Sequence, residues 1–128
     1  MDEQTRLTLE KIDQLLHFLP AFEQSNRTFI EKWDGFYPVY APDVAQFVRL
    51  AGDPWWMDTG YQPQEAGQML ANDAIVQSAS LDQIKTMLTF FVRGERFSDG
   101  HWGSLLENGR IQRLLHRLKI LRKELDAA

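Results

Sequence analysis

The string SLDQ at residues 80–83 constrains this chain more than any other feature. A serine hydroxyl accepts from the amide three residues ahead while the glutamine reaches back to the serine amide, a capping box that fixes a helix start near Leu81. From there Leu81, Ile84, Leu88 and Phe91 recur at helical spacing, so one apolar stripe faces a core. The helix continues to about residue 95 and runs directly into RGERFSDGHWG, Arg93 to Gly103, which packs five ionisable side chains, two aromatics and three glycines into eleven residues.

Other segments read as helices by the same logic. Leu9, Ile12, Leu16 and Leu19 define an amphipathic helix that Pro20 ends or kinks, and a second is expected over Ala21 to Trp33, with Phe22, Phe29, Ile30 and Trp33 on one side. DGFYPVYAP is turn and extended chain, because two prolines and a glycine interrupt any helix. PDVAQFVRLAG restarts a helix with Pro42 in its first turn and Gly52 at its end, and QPQE, with Pro63 and Glu65, opens another after the DPWWMDTGY loop. A short helical segment over SLLEN precedes a last helix from about Arg110 to Leu125. The expected architecture is all-α: a single domain over residues 1–128 with five to seven helices and a short extended pair at 35–41.

At 128 residues with 44% hydrophobic side chains, the chain can bury roughly two-thirds of its unfolded surface. There is no cysteine, which removes disulfides, thiolate zinc sites and a cysteine nucleophile. The start MDEQTRLTLEK lacks a signal-peptide core and no apolar run approaches the roughly 18 residues of a membrane span, so a soluble cytoplasmic protein is expected. Net charge is -4, yet it is unevenly spread: five acids and no base lie between Arg49 and Lys85, six bases and no acid between Arg110 and Lys123. The default reading of the basic last helix is a solvated face balanced by the acidic stretch; nucleic-acid contact through it is a weaker alternative against the overall acidity. Ile120 lies opposite the leucines of that helix and hints at a second contact, as in a homodimer.

Within RGERFSDGHWG, the 100° advance per residue places Glu95 beside Leu88 and Phe91, pointing inward. A desolvated carboxylate needs a cation, and by chain direction Arg110 and Arg113 are the expected partners in a structural ion network. The string TMLTFFVRGERFSDGHWG, followed by LLENGRIQRLLHRL, resembles a bacterial domain-of-unknown-function family with TMLT, VRGERF and DGHW elements. The resemblance covers about residues 37–121, including WWMDTGYQPQEAGQML, and leaves 1–36 as an N-terminal helical extension. Thr59, Gly60 and Ser98 depart from the pattern. It implies a shared fold and no activity.

The leading functional expectation is a non-enzymatic binding or protein-interaction module. Arg93, Arg96, Asp99, His101 and Trp102, with Trp55, Trp56 and Tyr61 from the loop, form the candidate ligand site. Two arginines three apart suit a small anion, and aromatic rings offer broad contact, with one of the adjacent tryptophans expected at a rim. The arginines have a competing structural use, paired to Asp58, Asp73 or Asp99. The main alternative is a small hydrolase or transferase using Asp99 and His101 with Glu95 or Glu107. The bland account has Asp99 capping the next helix and His101 bonding a backbone carbonyl. No phosphate-loop or dinucleotide motif occurs, the usual closely spaced histidines of metal sites are missing, and neither metal nor cofactor is assigned.

Overall fold

A computed structural model describes residues 1–128. Eight helical segments make up most of the chain, one of them a single turn, together with one β-hairpin. The first helix, α1 (Glu3–Leu16), starts where the Asp2 carboxylate accepts from Thr5 N, which holds that carboxyl below its ordinary range. It buries Leu9, Ile12 and Leu15, with Leu16 only partly covered. Pro20 does not end the chain's helical course outright, because it occupies the first turn of the four-residue α2 (Leu19–Phe22).

The expected second helix from Ala21 to Trp33 stops at Phe22. Asn26 adopts a left-handed φ of 59°, and Ile30 to Asp34 become β1, paired antiparallel with β2 (Tyr37–Tyr40). Asp34 faces Tyr37 across a tight turn in which Gly35 takes φ 62°, a hairpin signal that outweighs the helical spacing of Phe29, Ile30 and Trp33. The extended pair therefore begins at residue 30, earlier than the sequence indicated, and the fold is mostly helical rather than all-α.

Proline-initiated α3 (Pro42–Ala51) and α4 (Pro63–Ala71) lie where expected. An unexpected helix, α5 (Asp73–Gln77), follows α4 at once because the Asn72 side chain accepts from Ala74 N and Ile75 N, at 3.1 and 3.3 Å. The capping box of α6 (Leu81–Gly94) is complete, with Gln83 N to Ser80 Oγ at 3.1 Å and Ser80 N to Gln83 Oε1 at 2.9 Å. Then come α7 (His101–Glu107), which starts three residues before SLLEN, and α8 (Arg110–Ala127).

Helix α8 packs against α1, α5, α6 and α7, and α6 against α3 and α4. The core is aromatic where these meet: Phe18 and Phe22 contact Phe47, whose ring meets Phe91 at 5.9 Å between centroids, and Phe91 leads to Trp102 and Tyr40. The basic residues of α8 are not answered by the acidic 53–82 stretch as a whole. Asp73 meets Arg113 at 3.6 Å, but Arg122 turns to Asp13 of α1 at 2.7 Å, and Arg117 donates to the Ala79 carbonyl at 2.9 Å. Ile120 is half exposed. No helix is long and apolar enough to cross a membrane.

Candidate functional site

The turn between α6 and α7 is organised by Glu95, and not through an arginine. Its Oε1 accepts from Tyr40 Oη at 2.8 Å and from Trp102 N at 2.9 Å, while Oε2 accepts from Gly100 N at 2.8 Å. Tyr40 Oη in turn accepts from Gly103 N at 3.2 Å. Glu95 thus points toward the fold, as helical geometry requires, but its charge is met by a phenol and by the free amides that open α7. Arg110 forms no ion pair, and Arg113 pairs with Asp73 instead. The expected Glu95–Arg110–Arg113 network is therefore replaced by a carboxylate cap. Burial, with Glu95 alongside, pushes the Tyr40 hydroxyl above its usual range, so it remains a donor.

Two glycines of the motif make room for this arrangement. A methyl on Gly94 would overlap the His101 ring, and one on Gly103 would meet Ile30 Cδ1 at 2.8 Å. Gly100 takes φ 87°. His101 Nε2 lies 3.3 Å from the Phe90 carbonyl, which can only accept, so the proton is on Nε2 and Nδ1 carries the free lone pair. Burial pushes the imidazole below its ordinary pKa, the Phe90 bond and the Glu95 charge opposing in part. Trp102 Nε1 donates to the Val92 carbonyl at 3.1 Å.

Of the candidate ligand residues, Tyr61 and His101 share one cleft of about 400 Å³, walled by Pro63, Phe90, Gly94, Phe97 and Ser98. The Arg93 guanidinium stands 5.4 Å over the Tyr61 ring, and neither Arg93 nor Arg96 forms an ion pair, contrary to the expected locks on Asp58, Asp73 or Asp99. Asp58 instead accepts from Thr86 Oγ1 at 2.7 Å and donates its own amide to Thr89 Oγ1 at 2.8 Å, tying the loop to α6. Trp56 is fully buried and Trp55 lies partly exposed beneath Lys85, whose Nζ is 4.0 Å from the ring centroid. These tryptophans and Trp102 are packing residues outside the cleft. Asp99 is exposed and does not cap α7, a role Glu95 takes.

No hydrogen bond joins His101 to Asp99, Glu95 or Glu107, and Glu107 stands at the opposite end of α7. No three His, Asp or Glu side chains are gathered in a way that could hold a metal ion. Sequence reasoning missed Tyr40, whose partner Glu95 is 55 positions away, and Phe90, Phe97 and Pro63 of the cleft. Phe97 alone carried a signal: an aromatic between Arg96 and Ser98 in a polar turn, 83% exposed in the structure.

No curated protein and no solved structure matches the chain. A family match extends over residues 7–124 and takes in most of the 1–36 segment set aside above as an extension. The chain belongs to that family, DUF6508, a family of unknown function.

Proposed function

We propose that the chain is a non-enzymatic binding module whose ligand is small, apolar in body and acidic at one end. The supporting observation is the cleft itself: Tyr61, Phe90 and Phe97 line it together with His101, whose imidazole burial holds below its ordinary pKa, and Arg93, which forms no ion pair, stands over Tyr61 at its side. An apolar body would displace water from the rings, and a carboxylate would meet a guanidinium whose in-plane N–H groups remain available above the aromatic face. The Glu95 carboxylate is already engaged within the fold, and no hydrogen bond joins His101 to Asp99 or Glu107, which favours binding over the hydrolase or transferase alternative. The test is a thermal-shift series with benzoate, phenylacetate and benzyl alcohol. The acids are expected to raise Tm where the alcohol does not, and Arg93→Ala to abolish the difference; equal or absent shifts would discard the proposal.

A second reading, self-association, rests on the hairpin. Trp33, Phe36 and Tyr37 are 53%, 85% and 70% exposed, and Trp33 Cη2 reaches within 3.3 Å of the position a Cβ on Gly100 would take, so the Trp33 ring adjoins the turn that carries Phe97. In the hairpin register Trp33 pairs with Pro38 and Tyr37 with Asp34, so the exposed rings are carried on both faces of the hairpin and at its tip. The mixed charges Glu31, Lys32 and Asp34 on β1 suit a second copy of the same strand better than a partner of one sign. Sedimentation velocity should give a dimer that Phe36→Asp converts to monomer; a monomer at every concentration removes this reading.

A further inference from the structure

Two buried side-chain polar atoms have no partner in the fold, Trp56 Nε1 and Gln112 Oε1. Trp56 borders no cleft. Gln112, only 9% exposed on α8, helps to line one of about 500 Å³ between the segment after α2 and the α7–α8 junction. Its Nε2 donates to the Phe22 carbonyl at 3.2 Å and to the Leu106 carbonyl at 2.9 Å. Those two bonds fix which end of the amide is nitrogen, because the reversed amide would set its oxygen against two carbonyl oxygens. The nitrogen therefore does structural work and the oxygen does none. A buried acceptor left unpaired costs about 1–3 kcal/mol, and a group that accepts that cost invites a donor from outside the fold.

The surroundings say which donor. Around the same cleft Glu107 has neither hydrogen bond nor ion pair, and Glu23 uses only Oε2, bonded to His116 Nε2 at 2.8 Å. Of the cations nearby, Arg27 is hydrogen-bonded to Asp43, and Arg113 stands 3.6 Å from Asp73 at the exposed rim. Unpaired acceptors remain on Gln112, Glu107 and Glu23, and two of these groups are carboxylates. Phe22, Phe29 and Leu106 supply apolar wall for a hydrocarbon stem. The oxygen has almost no solvent-accessible surface, so a ligand reaches it only when a side chain of the cleft moves; Arg113 and His116, each half exposed on that wall, are free to change rotamer.

From this geometry we infer that the cleft between the post-α2 segment and the α7–α8 junction is a second binding site, for a primary ammonium group carried on an apolar stem. Three N–H donors match Gln112 Oε1, Glu107 and the free oxygen of Glu23, and the stem lies along Phe22 and Leu106. This site is separate from the Tyr61–His101 cleft and does not rest on the reading given for it.

The test is a titration of the ¹⁵N-labelled full chain with n-butylammonium, with butyrate and n-butanol as controls. The Gln112 side-chain amide and the Gly109 backbone amide are expected to shift saturably with the amine alone. Glu107→Gln, an exposed change that leaves the fold intact, should weaken the apparent Kd about tenfold, the loss of one charge-assisted hydrogen bond. Arg93→Ala should leave it unchanged. Absence of saturable shifts, equal shifts with butyrate, or indifference to Glu107→Gln would each overturn the inference.

Discussion

The two ends of α7 treat their polar groups in opposite ways. At the N-terminal end, Glu95 satisfies the amides of Gly100 and Trp102 and takes the Tyr40 hydroxyl, whose oxygen serves Gly103. At the C-terminal end, Gln112 satisfies the Phe22 and Leu106 carbonyls and leaves its own oxygen idle. One junction is closed by a charged acceptor whose hydrogen bonds all end inside the fold; the other is held by a donor and keeps an unpaired acceptor. The contrast teaches that a charge-dense motif can be a structural clasp, while a single neutral amide elsewhere carries the more open chemistry.

The sharpest test of that contrast is Glu95→Ala, which should remove about 3 kcal/mol of stability in urea unfolding, since it strips two backbone amides and a phenol of a charged acceptor. A loss below about 1 kcal/mol would mean that water serves those amides equally well, and the clasp would fail as an explanation. Gly94→Ala should cost about 2 kcal/mol, because the added methyl and the His101 ring claim the same space, and the cost should largely vanish when His101 is also changed to Ala. Gln112→Leu should cost less than Glu95→Ala, about 1.5 kcal/mol, because it frees two carbonyls but also deletes the orphan oxygen; the reverse order would break the comparison. Tyr40→Phe should lose about 1 kcal/mol.

The smallest effect concerns pH. The folded His101 pKa lies below its ordinary 6.5, so below that pH the unfolded chain binds a proton that the folded chain resists. Stability should fall on acidification through that range until the folded imidazole also protonates. His101→Gln should flatten this part of the pH profile, and an unaltered profile would show that the ring is not held neutral.

Several elements were legible in the chain because their causes are local. Ser80 and Gln83 announced α6, Pro42 and Pro63 opened α3 and α4, and the inward direction of Glu95 followed from the turn angle of a helix. The hairpin was misread where Phe29, Ile30 and Trp33 share a helical spacing, although the Asp34–Gly35 pair marked its turn. The Asn72 cap of α5 passed unnoticed because it follows α4 without a break. At the site, Arg93, His101 and Tyr61 were named from residue type, while Phe90 and Pro63 were not, because nothing in an ordinary apolar helix residue reveals that it faces a cleft.

By itself, then, the sequence determined where most helices begin and which way Glu95 points, since caps, prolines and the 3.6-residue period act within a few residues. Only the tertiary structure decided what meets that carboxylate and which polar atom stays unpaired. Tyr40 reaches Glu95 across 55 residues and Gln112 reaches the Phe22 carbonyl across 90, separations over which no local rule specifies a partner and packing alone selects it.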